Sequence, residues 1–149
     1  MAEADDGNRR QPVKKFHWDK EDYFPYLVRD YKQSIIALEY LVDDLHGDKE
    51  LTIARFLAHC GSEDFLWGIV RLMGAENLRV SGNSAYVFGT IAETADGIDR
   101  IVGLLTNRSH PDSANILIHL VNLLKSNDYE CLMNAAGTIG TIVILSFLF

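Results

Sequence analysis

The sequence contains few of the patterns that mark an enzyme, a metal site or a disulfide framework. It has only two cysteines in 149 residues, Cys60 and Cys131, and each lies alone on an apolar segment with helical spacing. Two separated thiols are typical of buried residues in a reducing compartment, and they argue against disulfides and thiolate zinc sites. No G-x-S-x-G, Walker-type glycine loop, H-E-x-x-H or C-x-x-C motif is present. We therefore expect a non-enzymatic protein with no catalytic residues, metal, cofactor or small-molecule substrate.

Positive charge is also scarce. Lys and Arg number 14 against 21 Asp and Glu, so the formal net charge is −7. Nucleic-acid binding depends on clustered Lys and Arg that neutralise phosphates, so we expect no nucleic-acid partner. The N-terminus carries Asp5, Asp6, Arg9 and Arg10 where a secretory signal would have an apolar stretch, which argues against export. We expect a cytoplasmic protein.

The chain divides into a polar arm and one helical domain. Residues 1–22 are polar and charged, which predicts a disordered N-terminal arm. Residues 23–149 contain enough apolar residues for a single core, and these recur at spacings of three and four, as along Leu27, Tyr31 and Ile35. No segment alternates with period two, so the predicted fold class is all-α. Helices are expected over residues 25–46, 48–60, 65–73, 82–94, 97–107, 111–125 and 128–145.

A helical unit occurs twice in the domain, 51 positions apart. Phe65–Ile91 aligns without a gap on Ile116–Ile142. A unit that repeats after tens of residues cannot bury its apolar face alone, so it stacks on a copy of itself and works through an extended surface. Gly89 and Gly140 occupy the same helical position, and Gly costs about 1 kcal/mol in a helix relative to Ala. Their recurrence predicts that a neighbouring helix passes close by. The identical pairs are Leu66/Leu117, Val70/Val121, Leu72/Leu123, Asn83/Asn134, Ala85/Ala136, Gly89/Gly140, Thr90/Thr141 and Ile91/Ile142.

The second copy resembles an armadillo repeat. Leu120-Val121-Asn122-Leu123-Leu124-Lys125-Ser126 is similar to the family pattern LVxLLxS, and after a polar turn Asn134-Ala135-Ala136-Gly137 is similar to the pattern NAAG. The resemblance implies an armadillo-like right-handed superhelical solenoid of about three imperfect repeats over residues 23–149. The 51-residue offset exceeds the usual period of about 40 residues. We therefore expect the helices at 97–107 and 111–125 to include an irregular or inserted element.

The same resemblance implies a partner-binding groove. In armadillo proteins a Trp and an Asn four residues later bind an extended peptide, and here Trp67 and Arg71 form one such pair while Ile118 and Asn122 form its counterpart. The first copy has the Trp without the Asn, and the second copy has the Asn without the Trp. The alternative is that Trp67 is a core residue and that Arg71 and Asn122 are ordinary polar surface. Because the motif is incomplete twice, we favour this alternative for the individual residues while still expecting a groove.

No charged residue occurs in residues 131–149, which leaves three interpretations. The chain is a truncated or alternatively ended form of a longer repeat protein. Its last helix packs on another copy or on a partner, which includes self-association. Or the segment is a membrane anchor, since spanning takes about 20 apolar residues. Asn134, Thr138 and Thr141 dilute its hydrophobicity, so we favour truncation or burial.

The function expected from the sequence is that of a non-catalytic adaptor. We expect it to bind a protein partner, as an extended peptide or a helix, on a concave surface of stacked helices. The alternative, from a different class, is a membrane-attached helical protein that uses residues 131–149.

Overall fold

A computed structural model describes residues 22–148, and these form seven α-helices preceded by a short 3₁₀ helix. No β-strand occurs between residues 22 and 148, and the all-α prediction is confirmed. The disordered arm predicted for residues 1–22 lies outside the described residues, apart from Asp22. The elements are the 3₁₀ helix Phe24–Val28 followed by α1 Tyr31–Gly47, α2 Lys49–Ala58, α3 Ser62–Met73, α4 Leu78–Ile91, α5 Ala95–Thr106, α6 Asn115–Leu124 and α7 Tyr129–Leu148.

Short polar side chains determine where several helices begin. The Asp48 carboxylate accepts a 3.1 Å hydrogen bond from the first turn of α2. Asp30 accepts one of 2.9 Å from the first turn of α1. The single helix predicted from Pro25 onwards is therefore wrong, because the 3₁₀ helix ends at Val28 and Asp30 caps a new helix that begins at Tyr31. Asn77 caps α4 at Leu78, four residues before the predicted start.

The 3₁₀ helix closes one side of the helix stack through aromatic packing. The Phe24 ring centroid lies 5.3 Å from that of Phe56 and 6.1 Å from that of Phe65. Gly68 in α3 lets the backbone come close, since a Cβ there would be 2.7 Å from the Leu27 carbonyl oxygen. The first helices therefore bury their apolar faces against one another and against the 3₁₀ segment.

Helix α5 lies between the two copies of the repeat, where the offset predicted an extra element. Its Arg100 side chain reaches back across the stack. Nη1 donates to Ser62 Oγ at 2.7 Å and Nη2 donates to the Leu57 carbonyl oxygen at 3.0 Å. A longer contact of 3.6 Å joins Nε to the Asp96 carboxylate. Arg100 therefore ties α5 to α2 and α3.

Helices α4 and α7, which correspond in the two copies, pack closely along small residues. A Cβ on Gly82 would be 2.8 Å from Cys131 Sγ, and a Cβ on Gly89 would overlap Thr138 Oγ1. The Thr138 hydroxyl donates to the Ala85 carbonyl oxygen at 2.8 Å. The close approach predicted at Gly89 is confirmed.

Gly140 behaves differently from Gly89. No heavy atom of the described residues, other than its own helix backbone and its chain neighbours, lies within 4 Å of a Cβ placed on it. The close approach predicted there is therefore wrong for residues 22–148, because this side of α7 faces no other described element. Superhelical handedness and the number of three repeats stay predictions.

Candidate functional site

Trp67, the aromatic residue of the predicted groove, is buried. Only 5% of the residue is exposed. Its indole stacks on the His110 imidazole, with 3.6 Å between ring centroids and 5° between the planes. This is the core arrangement that the sequence offered as the alternative. In this conformation Trp67 presents almost no surface to a partner.

The other three predicted site residues are exposed on neighbouring helices. Arg71 projects from α3, while Ile118 and Asn122 project from α6. The two helices meet where His119 packs against Gly74, since a Cβ on this glycine would be 2.5 Å from His119 Cε1. Burial lowers the pKa of His119, against an opposing effect of Asp112, so the ring favours its neutral form. We call the three exposed side chains the α3/α6 surface.

A second surface lies between α4 and α7. We call it the α4/α7 groove, and its volume is about 150 Å³. Tyr86 lies half-buried on the α4 side, and the His46 ring lies 5.2 Å from it. On the α7 side Met133 is exposed and Gly137 leaves open space. The groove is lined by Tyr86, Gly89, Thr90, Glu93, Met133, Asn134, Gly137, Thr138 and Thr141.

The groove continues along α7 into a more apolar hollow of about 410 Å³. Ile144 and Leu145 line the hollow, and Glu93, Gly137 and Thr141 line both spaces. Glu93 also forms a 3.1 Å ion pair with Lys49. One side of α7 therefore presents a continuous recess with a carboxylate at its middle.

This recess lies on a different pair of helices from the site that the sequence predicted. The prediction took the site from α3 and α6, whereas the recess runs along the other half of each repeat. Thr90 and Thr141, identical in the two copies, both line it. A hydroxyl that recurs directly after a glycine in both copies is a signal that could have drawn attention to this face.

Among residues 22–148, no group of three or more His, Cys, Asp or Glu side chains comes together in a way that could hold a metal ion. Burial raises the pKa of the Cys131 thiol, and Asp128 adds to the shift. Cys60 is exposed, so the prediction of two buried thiols is wrong for it: it follows α2 in the bend before α3, outside the packed stripe.

Helix α7 has the length and composition of a membrane span. Residues Tyr129–Phe147 have a mean hydropathy of 1.5, and 22% of the apolar window is buried inside the structure. Core helices of soluble proteins meet the same criteria. Cys131 Sγ, Asn134 Nδ2 and Thr138 Oγ1 each donate to a carbonyl oxygen of α4. The first half of α7 is therefore an integral part of the helix stack.

One segment of the chain matches a known protein family. Residues 112–144 match the family model described as the Armadillo/beta-catenin-like repeat. The matched segment contains all of α6 and most of α7. The armadillo-like character predicted from the same segment is confirmed. No curated protein and no solved structure matches the chain.

Proposed function

We propose that this chain is a non-catalytic cytoplasmic scaffold that binds an extended segment of a partner protein in the α4/α7 groove. The armadillo-like repeat at residues 112–144 supports the proposal. The observation that carries the proposal is the composition of the groove. It combines an aromatic ring, an exposed thioether and several polar groups along two neighbouring helices. Such surfaces gain affinity from apolar anchors and orient the ligand through a few polar groups.

The polar groups of the groove suit a peptide backbone. Asn134 donates its Nδ2 to the Gly82 carbonyl oxygen at 3.2 Å, which fixes the amide and leaves its Oδ1 as an acceptor. The Thr141 hydroxyl, half-buried on the same side of α7, can donate or accept. Tyr86 and Met133 supply apolar area beside these groups. An extended segment presents alternating N–H and C=O groups that these side chains would pair.

The charge of the groove favours a basic or amphipathic segment. Glu93 supplies a carboxylate at its middle, and it is half exposed within its ion pair with Lys49. The net charge of −7 adds a general attraction for cationic ligands. A Lys or Arg of the partner would compete with Lys49 for this carboxylate.

The α3/α6 surface is the competing location for the same function. Arg71, Ile118 and Asn122 are accessible there and were the site predicted from the sequence. Since Trp67 is buried, this surface lacks the aromatic anchor that the prediction included. We therefore prefer the groove as the binding site, and the α3/α6 residues serve as the comparison in the test.

Selection of a random-peptide phage library on the immobilised full-length chain tests the proposal. Gly137→Leu should fill the groove without disturbing the fold, because nothing lies within 4 Å of a Cβ at this position. Gly103→Leu is the matched control, since its Cβ site is equally open but lies on α5. We expect selected peptides to bind wild type and Gly103→Leu, and to bind Gly137→Leu at least about tenfold more weakly.

Two results would contradict this assignment. Weaker binding by an Arg71→Ala/Ile118→Ala/Asn122→Ala variant, with Gly137→Leu unaffected, would move the site to the α3/α6 surface. A library that yields no binder, or peptides that bind all variants equally, would overturn the peptide-scaffold function. Circular dichroism of each variant first establishes that its helix content equals that of the wild type.

Membrane attachment through α7 is the second candidate function, favoured by the length and hydropathy of Tyr129–Phe147. Insertion would require α7 to leave α4 and to break the hydrogen bonds of Cys131, Asn134 and Thr138. Flotation with phosphatidylcholine vesicles tests it. Flotation of the wild type, together with loss of the α4–α7 packing measured by hydrogen exchange, would support attachment, and a protein that stays in the dense fraction would exclude it.

A further inference from the structure

Tyr86 lies between another ring and an open space. Helix α4, which carries it, packs against both α1 and α7. On the α1 side, the imidazole of His46 lies 5.2 Å from the Tyr86 ring, with 33° between the two planes. On the α7 side, Tyr86 and Gly137 line the α4/α7 groove, and Gly137 contributes no side chain to it. The α7 side of the phenol therefore borders free volume.

Tyr86 and Gly137 occupy the same position in the two copies of the repeat, 51 residues apart. The first copy fills this position with a ring. In the second copy, no heavy atom of the described residues, other than its own helix backbone and its chain neighbours, lies within 4 Å of a Cβ placed on Gly137. The glycine thus keeps a space open in the middle of a helix, where alanine would be the better helix former.

The open space has the size of one aromatic ring. The volume of the groove is about 150 Å³, and cavities of this size hold a benzene molecule. Met133, one turn before Gly137, is 50% exposed and lines the same space. Thioether sulfur makes favourable contacts with aromatic rings, and two aromatic rings attract each other beyond the effect of the area they bury. Tyr86 and Met133 therefore favour an aromatic side chain over an aliphatic one of similar size.

A carboxylate lies beside this space. Glu93 lines the groove together with Gly137, and it also lines the apolar hollow that follows. Its side chain is half exposed within the ion pair with Lys49. In an extended segment, side chains two positions apart point to the same side and lie about 7 Å from each other. A ring above Gly137 would therefore place a Lys or Arg two positions away within reach of the Glu93 carboxylate.

We propose that the α4/α7 groove binds segments in which an aromatic residue lies two positions from a Lys or Arg. The aromatic ring of the partner occupies the space above Gly137 and packs on Tyr86, while the cation pairs with Glu93. This inference rests on the proposed function and makes it specific, because it names the side chains that the bound segment carries. The charge of Glu93 and the ring of Tyr86 border one space, so a single segment satisfies both.

The peptides selected from the random phage library on the full-length chain are the probes. Fluorescence anisotropy compares a selected peptide with two derivatives. In the first, leucine replaces the aromatic residue, which keeps apolar area and removes the ring. In the second, glutamine replaces the Lys or Arg. Each peptide is measured on the wild type, on Tyr86→Leu and on Glu93→Gln, after circular dichroism has shown that the helix content of the three proteins is equal.

We expect the leucine derivative to bind the wild type about 2- to 12-fold more weakly than the parent peptide, which is the gain from an aromatic pair. On Tyr86→Leu the two peptides should bind equally within about twofold, because the ring on the protein is gone. The glutamine derivative should bind the wild type about 1.5- to 5-fold more weakly. On Glu93→Gln it should bind as tightly as the parent peptide.

Nuclear magnetic resonance of the wild type locates the ring without any protein variant, so the test holds even if Tyr86→Leu is unstable. The ring current of the bound aromatic residue should shift the α-proton resonances of Gly137. The leucine derivative should leave that ring-current shift out.

The failure of this inference differs from the failure of the proposed function. A library that yields no binder overturns both. Binders that lack the aromatic–cation pattern, or a derivative that binds the wild type as tightly as the parent peptide, overturn this inference and leave the proposed function standing. A preference for the ring that persists unchanged in Tyr86→Leu, or an unshifted Gly137 resonance, overturns it as well. Dimerisation of the wild type by sedimentation equilibrium, abolished by Gly137→Leu, would make a second copy the occupant and would also overturn it.

Discussion

Thr138 occupies the space that a side chain on Gly89 would need. Its hydroxyl donates to the carbonyl oxygen of Ala85 at 2.8 Å, and a Cβ built on Gly89 would lie 3.1 Å from Thr138 Cβ and 3.2 Å from its Cα, as well as overlapping the hydroxyl oxygen. Two of these neighbours are close to the backbone of α7, so a rotamer change of Thr138 cannot relieve the contact. The whole helix would have to move.

Gly89→Ala should therefore destabilise the protein although alanine is the better helix former. Overpacking typically costs about 1–3 kcal/mol, and the gain in helix propensity of about 1 kcal/mol offsets only part of it. We expect the free energy of unfolding to fall by up to about 2 kcal/mol in urea titrations. Gly140→Ala, at the equivalent open position, should instead raise it by about 0.5–1 kcal/mol. The same sign for both variants would contradict the packing described here.

The contrast between these two glycines shows which features of the packing the sequence could predict and which it could not. The repeat alignment predicted a close contact at both positions, because it compares residues and not their surroundings. Gly89 has α7 above it, whereas Gly140 has no described neighbour. Sequence periodicity therefore predicted the helices and the stacking of α7 on α4. It could not tell which copy lies inside the stack.

The prediction of the binding site had the same limit, because a residue pattern does not show what surrounds each residue. Helical spacing puts Trp67 and Arg71 on one stripe, but only the structure shows that His110, from the segment before α6, lies flat on the indole. The α4/α7 groove was missed because its two sides, at Tyr86 and Thr141, belong to different copies. Both the burial of Trp67 and the formation of the groove depend on contacts between residues that lie far apart in sequence.

Trp67 should behave as a core residue in mutagenesis. Trp67→Ala removes a side chain that is 5% exposed and stacked on His110, so we expect a loss of about 3–5 kcal/mol in the free energy of unfolding. Arg71→Ala, one turn along the same helix but exposed, should change it by no more than about 0.5 kcal/mol. Urea titrations followed by far-ultraviolet circular dichroism measure both. A small effect of Trp67→Ala would mean that the indole is a surface group after all.

Arg100 should contribute more to stability than a surface arginine does. Its two hydrogen bonds, to Ser62 and to the Leu57 carbonyl oxygen, join α5 to the N-terminal helices. Hydrogen bonds to charged groups contribute about 1.5–3 kcal/mol, so Arg100→Ala should lower the free energy of unfolding by about that amount. The control is Arg79→Ala, which breaks the exposed 3.2 Å pair with Glu39 and should cost about 0–1 kcal/mol. Thermal unfolding of the two variants side by side gives the comparison, and equal losses would refute the role given to Arg100.

The two cysteines should differ in reactivity because their surroundings differ. Cys60 is exposed, whereas Cys131 is buried, donates to the Leu78 carbonyl oxygen at 3.0 Å and has its pKa raised by burial and by Asp128. The thiolate is the reactive form, so Cys131 should react slowly at neutral pH. Titration with a chromogenic disulfide reagent should modify one thiol rapidly in the native protein and both in denaturant.

The Cys60→Ser variant makes the assignment direct, because its only thiol is Cys131. Rapid modification of this variant under native conditions would show that α7 leaves α4 readily. Because the folded pKa of Cys131 lies above the unfolded value, its contribution to stability is complete below the unfolded pKa and declines as pH rises through the folded pKa. The unfolding free energy should therefore fall at alkaline pH in Cys60→Ser. Cys60→Ser/Cys131→Ala should lack that part of the fall, and an identical pH profile for the two variants would contradict the burial of this thiol.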